Sequence, residues 1–544
     1  MAKYVLVSDP SLSREYNNFP LLDFLPCAPS GPVPEFVYNF LKGHRTPDDN
    51  GRAVLAPYAL RKLESALLAK NRREDVVVAH EHFASSFIKD DTEIIGVYTM
   101  DPLGLGPLTM SYSILFGDQS KAWVRIEFER LLKKLDQARK GKKAKIVVGG
   151  PGVWELTVMP EMMDELGIDL AFQGEADDII NEVLEDISSN AIYDKGYFQG
   201  YQSFDEGFHK QWVKHDRFIT RMRNSKQFPT LDDIPLIQGP TVKALSEVMR
   251  GCGIGCDFCE VTLRPIRYYT PEMVKHEVEV NAKFGRNSAW LHSDEIFAYQ
   301  HGPHFVPNRD AIMDLFRATM SVKGIEYTNP THGRISIPAG FPDLVKDISS
   351  VVRAGPERWI GVQVGLETGS DRLALEHMPN KTLPLKIGPD GSWQQIVAEG
   401  VKGMNLAYWR PAFTVQVGQM DETPDDNWET VAMVNRLSNM DVGDSPSEFT
   451  VTPMQNVPLG LIKSRTFTAE LLDESQLAVY YACYRHLAKM IKRDAVRDSK
   501  GNLAKRTAMS MTLNLGGWGL LHFIEGMCKK RGLDLEKVKR YGLD

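Results

Sequence analysis

Three of the chain's six cysteines stand within eight residues, Cys252, Cys256 and Cys259, in the run "MRGCGIGCDFCE" that begins at Met249. Thiols spaced this closely serve a disulfide framework, a zinc ion, an iron-sulfur site or a buried core. The other cysteines, Cys27, Cys483 and Cys528, lie far away in sequence, and so few in so long a chain make no disulfide framework. Structural zinc takes four protein ligands, commonly as two separated pairs. No second Cys-x-x-Cys follows Cys259, and neither His276 nor His292 completes a zinc spacing. A 4Fe-4S cluster is held by one thiolate per iron, so three thiolates leave one iron open. An open iron is what a reaction needs when a small molecule must chelate the cluster and take an electron from it. The intervening glycines let the backbone wrap closely and turn its N–H groups toward the cluster sulfides. Three buried structural thiols are the alternative.

The spacing Cys252-x-x-x-Cys256-x-x-Cys259, with Phe258 just before the last cysteine, resembles the signature of the radical S-adenosylmethionine (SAM) superfamily. That resemblance implies a partial (β/α)6 barrel with the cofactor at the C-terminal ends of its strands. The run "YTPEMVKHEVEVNAKFG" reads as the first helix, with Thr270 as cap, Pro271 in the first turn, Val274, Val278 and Ala282 on one face, and Gly285 as the stop. "SAWLHSDEIFAY" reads as a buried strand ending in Ser293, Asp294 and Glu295. The resemblance gives that position to the methionine amino group of SAM, which a carboxylate would pair with; a helix cap is the bland reading. "RWIGVQVGLETGSDRL" reads as a strand from Trp359 to Leu366, a turn and a helix start. Glu367 and Ser370 match the family's acid and hydroxyl for the ribose and the methionine carboxylate. "AFTVQVGQMDETPDDNW" resembles the family's sixth-strand motif, with Gly418 where backbone approaches the adenosine. These matches, with Phe258, cover residues 241–450.

Ahead of them, "KYVLVSDP", "VVVAHEHF", "TEIIGVYTMDP", "AKIVVGGPG" and "LAFQGEADD" are short apolar strands, several interleaved with helical stretches. This is the pattern of a doubly wound, Rossmann-like parallel sheet, which binds ligands in the loops at the C-terminal strand ends. No Gly-x-Gly-x-x-Gly follows the first strand, which argues against a dinucleotide. Gly149, Gly150, Pro151 and Gly152, then Gly174, Glu175 and Ala176, resemble the cobalamin-binding domain of cobalamin-dependent radical SAM enzymes, where small residues would admit the nucleotide tail. Asp101-Pro-Leu103-Gly-Leu-Gly106 has the outline of the cobalt-ligating Asp-x-His-x-x-Gly motif with leucine in place of histidine. The resemblance therefore implies cobalt without a histidine ligand; Tyr98, Met100, Leu103 and Leu105 are the candidates at its lower face, and Asp101 is a further cobalamin-binding candidate. His80 and His82 are the imidazoles whose coordination would overturn this.

A chain of 544 residues exceeds one core, and 64 basic against 71 acidic side chains carry no polybasic signature of nucleic-acid binding. No signal-peptide pattern opens "MAKYVLVSDPSLSREY" and no window is long and apolar enough for a membrane span, so a cytoplasmic, reducing location is expected. The expected domains are 1–190 (cobalamin-binding), 191–240 (a linker, "YDKGYFQGYQSFDEGFHKQWVKHDRF"), 241–450 (the barrel) and 451–544 (mostly helical). "FTVTPMQNVPLGLIKS" resembles the family's segment leaving the barrel, and Cys483 and His486 read as core or surface positions.

The resemblance implies a class B methyltransferase. Its cofactors are one 4Fe-4S cluster, cobalamin and SAM; an external electron donor is its partner. Methyl passes from one SAM through methylcobalamin to an unactivated sp3 carbon, after a 5'-deoxyadenosyl radical from a second SAM has taken a hydrogen. The runs "EVMRGCGIGCDFCEVTLRPIRYYTPEMVKHEV" and "YTMDPLGLGP" resemble enzymes of methane-producing archaea, among them those that C-methylate a glutamine of the methyl-coenzyme M reductase alpha subunit. A protein or peptide substrate follows from that likeness. A radical SAM cyclase or carbon-carbon coupling enzyme, a methyltransferase of a small molecule or lipid, and a non-catalytic cobalamin or redox sensor are the other readings.

Overall fold

The computed structural model describes residues 2–16, 20–116, 120–194, 197–204, 210–221, 228–388, 391–457, 472–497 and 519–543. The strand β1 (Tyr4–Ser8) shows why the N-terminal sheet is covered on both faces. Val5 and Val7 enter one apolar core while Tyr4 and Leu6 enter another, so alternate side chains face opposite layers. With β2 (Val76–Val78), β3 (Ile94–Tyr98), β4 (Lys145–Gly149) and β5 (Leu170–Gln173) it forms a parallel sheet in the order β2-β1-β3-β4-β5. The helix Trp123–Arg139 packs Phe128, Leu131 and Leu132 on one face; helices Tyr58–Leu68 and Ile180–Ser188 cover the other. This is a doubly wound sheet whose order reverses between β1 and β3, and crevices open at such switch points beyond the C-terminal strand ends.

The expected linker differs. Residues 198–204 and 210–220 form β6 (Phe198–Phe204) and β7 (Lys210–Thr220), an antiparallel pair, and β7 joins β5 in parallel, so the sheet runs on to Thr220. Its aromatic and polar residues alternate on an edge hairpin with one half-wet face, which conceals the apolar period a buried strand would show.

Six parallel strands follow. They are β8 (Leu245–Glu247), β11 (Ser288–His292), β12 (Tyr327–Pro330), β13 (Ile360–Glu367), β14 (Trp409–Val417) and β17 (Thr450–Gln455). The pairs β8-β11-β12 and β13-β14-β17 are parallel, and a bridge from His332 to Gln363 joins the two sheets. Between them run helices Pro271–Lys283, Arg309–Met320, Pro342–Val352, Trp393–Leu406 and Pro424–Ser438. A partial (β/α)6 barrel results. The "AFTVQVG" run is its fifth strand rather than its sixth; the sixth, β17, lies partly beyond the expected boundary at 450. Two short ladders complete the strands among the described residues, β9 (Met249–Arg250) with β10 (Arg267–Tyr268) and β15 (Asp441–Val442) with β16 (Ser445–Pro446).

The first barrel helix begins and ends as its sequence predicts: the Thr270 hydroxyl accepts the Met273 N–H, and Gly285 adopts φ 82° just past its end. The C-terminal helix Glu474–Arg497 adds Leu477, Tyr480, Cys483 and Tyr484 to the barrel core. His486 stacks on Phe449 at 3.8 Å between ring centres, so both Cys483 and His486 are core residues. Residues 458–464 of the segment predicted to leave the barrel lie outside the described residues. No helix among the described residues is long and apolar enough to cross a membrane.

Candidate functional site

The cysteine loop leaves β9 and curls back on the segment that enters β10. Gly251, Gly253 and Gly255 all have positive φ, 76°, 69° and 82°, conformations that residues with a Cβ adopt at a cost. A Cβ on Gly251 would lie 2.7 Å from the carbonyl oxygens of Arg264 and Pro265, and one on Gly253 would lie 2.7 Å from Ile266 Cδ1. The alternating glycines are thus what lets a loop this tight form around the cysteines. Burial pushes the Cys252 thiol up to about 11 and the Cys256 thiol up to about 12, and each is raised further by the other cysteines nearby. Unliganded, they would stay protonated at neutral pH. Among the described residues no three His, Cys, Asp or Glu side chains surround a point that could hold one ion. Three cysteines on one short loop are the donor type that a 4Fe-4S cluster takes, one thiolate to each of three irons.

Side chains from four other places hold this loop. Asp294, just past β11, accepts the Gly251 N–H at 2.7 Å. His377, at the end of helix Asp371–His377, meets Asp257 Oδ2 at 2.7 Å through Nδ1 and the Met420 carbonyl at 2.9 Å through Nε2, while its own carbonyl accepts the Asp257 N–H at 3.1 Å. Asn380 donates to the Ile254 carbonyl at 2.9 Å. Lys381 donates to Glu367 Oε1 at 2.9 Å and lies 6.0 Å from the centre of the Phe258 ring. Glu367 itself, the last residue of β13, has φ 64° and also accepts from Thr414 at 3.4 Å.

The residues expected around SAM divide here. Asp294 and Glu367 stand on the cysteine loop's side of the barrel, as does Phe258. Gly418, at φ 81° past β14, donates its N–H to Glu422 at 2.9 Å. Ser293 is buried, with its N–H on the Thr331 hydroxyl at 3.0 Å. Glu295 is spent on structure: it caps Phe297 and lies 3.3 Å from the buried Arg334 guanidinium. Ser370 likewise caps the helix that starts at Asp371 and donates to Asp426 at 2.6 Å, so its hydroxyl already has two partners.

The cobalamin-type loops need more correction. Asp101 accepts from the Gly106 N–H at 2.9 Å and from the Thr109 hydroxyl, folding its own loop onto the helix Pro107–Phe116. Leu103 is only 2% exposed in the sheet's core, its N–H on the buried Glu155 at 2.7 Å, and Leu105 packs against the same core. Leu103 and Asp101 are thus engaged within the fold, one in the core and one on its own loop. Met100 is 52% exposed, and Tyr98 is partly buried, its phenol pushed up to about 12 by burial. Gly149 has room for a Cβ, 3.9 Å from the Phe172 carbonyl, but Gly150 and Gly152 do not. A Cβ on Gly150 (φ 112°) would collide with the Thr99 carbonyl, and one on Gly152 would lie 2.6 Å from the Met100 backbone. Small residues there let one loop abut the next. Gly174 similarly faces Arg221, 3.1 Å from where its Cβ would be, and Ala176 opens the turn into helix Ile180–Ser188 through its carbonyl. His80 and His82 lie beyond β2, two strands from the loop that follows β3.

Glu175 has the largest unforeseen role. Arg267 grips both its oxygens at 2.7 and 2.8 Å, and Arg250 reaches it at 2.8 Å. Arg250 also holds Asp177 in a bidentate pair at 2.8 and 3.1 Å and Glu247 at 2.8 Å. Burial opposes its ionisation, but the two guanidinium groups win and hold the Glu175 carboxyl below its usual range. These arginines flank the cysteine run, and Glu175 and Asp177 follow β5, so the two halves of the chain meet at the cysteine loop. Their contact extends elsewhere: Lys62 reaches Glu277 at 2.6 Å, and the Gln455 N–H donates to Ser111 at 2.6 Å, where helix Pro107–Phe116 lies on the end of β17. The C-terminal mouth of the barrel thereby confronts the loop beyond β3.

His377, Asn380, Lys381, Arg250 and Arg267 were missed from sequence. The arginines stood beside the cysteines in plain view, in "EVMR" and "LRPIR", and only their partners were hidden; "EHMPNK" carries no period or motif.

No protein-family model matches the chain, and no curated protein matches it. Among solved structures it is similar to the radical S-adenosylmethionine methyltransferase TsrM from Kitasatospora setae with cobalamin and a 4Fe-4S cluster bound. That similarity has 15% identity and a TM-score of 0.48, and covers 84% of this chain and 75% of that chain. A second structure of TsrM, with tryptophan substrate and the SAM analog aza-SAM bound, is similar at 14% identity and a TM-score of 0.45, covering 79% of this chain and 70% of that one.

Proposed function

We propose that the chain is a cobalamin-dependent radical SAM C-methyltransferase that places methyl from SAM on an unactivated sp3 carbon. The observation that supports it most is the cysteine loop at the barrel's C-terminal mouth, bolted through Arg250, Arg267 and Glu175 to the loops at the C-terminal edge of a doubly wound sheet. Cys252, Cys256 and Cys259 would hold a 4Fe-4S cluster; Asp294 and Glu367 are the acids placed for SAM; Tyr98 and Met100 stand at the strand ends where cobalamin would lie. Bound, these cofactors supply methyl transfer and the reductive cleavage that yields a carbon radical. The chain's own part is to fix the spacing of the two halves, which the arginine clamp does, and to hold the cysteine loop in place, which His377 and Asn380 do.

The substrate we propose is a glutamine in an extended segment of methyl-coenzyme M reductase, on the likeness of the cysteine run and "YTMDPLGLGP" to enzymes of methane-producing archaea. The test is one incubation with reductant, cobalamin, SAM and a peptide spanning that glutamine. S-adenosylhomocysteine and 5'-deoxyadenosine are both expected, with one labelled methyl on the glutamine side-chain carbon by mass spectrometry. 5'-Deoxyadenosine without S-adenosylhomocysteine would favour cyclisation or coupling, and neither product would favour a sensor. Both products with an unmodified peptide would point to a small molecule or lipid.

A further inference from the structure

Lys381 is a buried amine beside the cysteine loop, and neither the motif nor the fold requires a cation there. Its side chain is enclosed on three sides. Glu367 holds Nζ at 2.9 Å, the Phe258 ring lies 6.0 Å away, and Gly365 makes the room: a Cβ on that glycine would overlap both Lys381 Nζ and Glu367 Oε1. The neighbouring Asn380 donates to the Ile254 carbonyl, which ties the backbone that carries Lys381 to the cysteine loop. Burial disfavours the ammonium, yet Glu367 and the nearby cysteines hold its pKa above the ordinary lysine value. A second buried ion pair lies near the loop. Arg334 lies against Glu295 at 3.3 Å, and Asp294 accepts the Gly251 N–H.

We infer that Lys381 is a positioning residue that fixes one positive charge against the iron-sulfur site and raises its reduction potential, with Glu367 setting how much of that charge the site feels. The inference rests on the cluster reading of the cysteine loop. Its physics is simple: reduction adds an electron to a buried site, and a nearby cation stabilises the added charge more than it stabilises the oxidised form. A cation within several ångströms in a protein interior shifts such an equilibrium by about tenfold or more. If Glu367 turns toward SAM on binding, the same pair would expose more of the lysine's charge as substrate arrives.

The experiment is a redox titration, without SAM, of the full-length protein reconstituted with iron and sulfide, read by electron paramagnetic resonance of the reduced cluster. The parent, K381M, K381R and E367Q are compared at equal iron and sulfide content. In K381M the ratio of reduced to oxidised cluster at a fixed poise should fall about tenfold or more, equivalent to about 59 mV more negative. K381R should titrate with the parent, and E367Q should shift the opposite way because the lysine's charge is less compensated. Should K381M fail to take up iron and sulfide, the sign of the E367Q shift decides. K381M or E367Q titrating with the parent, or both moving in one direction, overturns the inference alone. A parent that takes up no iron and sulfide overturns the cluster reading and the inference with it.

Discussion

His377 presents both ring nitrogens to acceptors, the Asp257 carboxylate and the Met420 carbonyl. A neutral imidazole has one N–H and can satisfy one of them, so this geometry is that of the imidazolium. The hydrogen bond that His377 donates to Asp257 accordingly raises the His377 pKa above its usual value, against burial. A raised folded-state pKa means stability that is fully present below the unfolded histidine's pKa and lost as pH rises through the folded value. Thermal melts from about pH 6 to about pH 9 should therefore show the protein losing its advantage over H377Q as pH rises. Asp257 is 47% exposed on its side chain, which screens the pair, so the advantage should be about 1 kcal/mol. A difference that holds constant across the range would mean that the ring binds neutral.

At the scale of the element, the cysteine loop is a backbone device as much as a set of thiols. Gly251 and Gly285 share nearly the same φ, 76° and 82°, but a Cβ on Gly285 would meet nothing within 4 Å, whereas one on Gly251 would press on two carbonyl oxygens. G285A should cost about 1 kcal/mol, the left-handed penalty alone. G251A should cost about 2 kcal/mol or more, concentrated in the loop. Iron and sulfide uptake after reconstitution should fall in G251A and hold in G285A, at unchanged circular dichroism. Equal uptake in both would show that the close approach to Arg264 and Pro265 does not shape the site. The same contrast explains the cobalamin-type loops: Gly150 and Gly152 are small because a neighbouring loop abuts them, a reason no single run of sequence displays.

For the whole molecule the question is what makes two halves act as one. Glu175 lies between two arginines of the other half, all three largely buried, so removing its charge leaves Arg267 without its carboxylate in a place where water compensates poorly. E175Q should lose about 3 to 5 kcal/mol by denaturant unfolding. If the clamp couples the N-terminal sheet to the barrel, the parent should unfold in one transition and E175Q in two. A loss under about 1 kcal/mol with a single transition would make the clamp a dispensable surface pair.

What the sequence by itself determined is whatever local chemistry encodes: the Cys252, Cys256 and Cys259 spacing, the Thr270 cap, the apolar runs of β1 to β5, and the alternation that covers the sheet on both faces. Those follow from neighbours a few residues apart, where sterics, capping and burial period act. The structure alone decided the partners. β6 and β7 came out of an expected linker because an edge hairpin keeps one face wet, and "AFTVQVG" became a fifth strand because β17 (Thr450–Gln455) pairs with it as the sixth. Leu103, Glu295 and Ser370 went to core and caps, while Lys381, His377 and the Arg250–Glu175 clamp entered the site across 14 to 120 residues of chain. A buried charge is stable only beside its counter-charge, and which two charges meet is settled by the packing of whole elements, which no local pattern records.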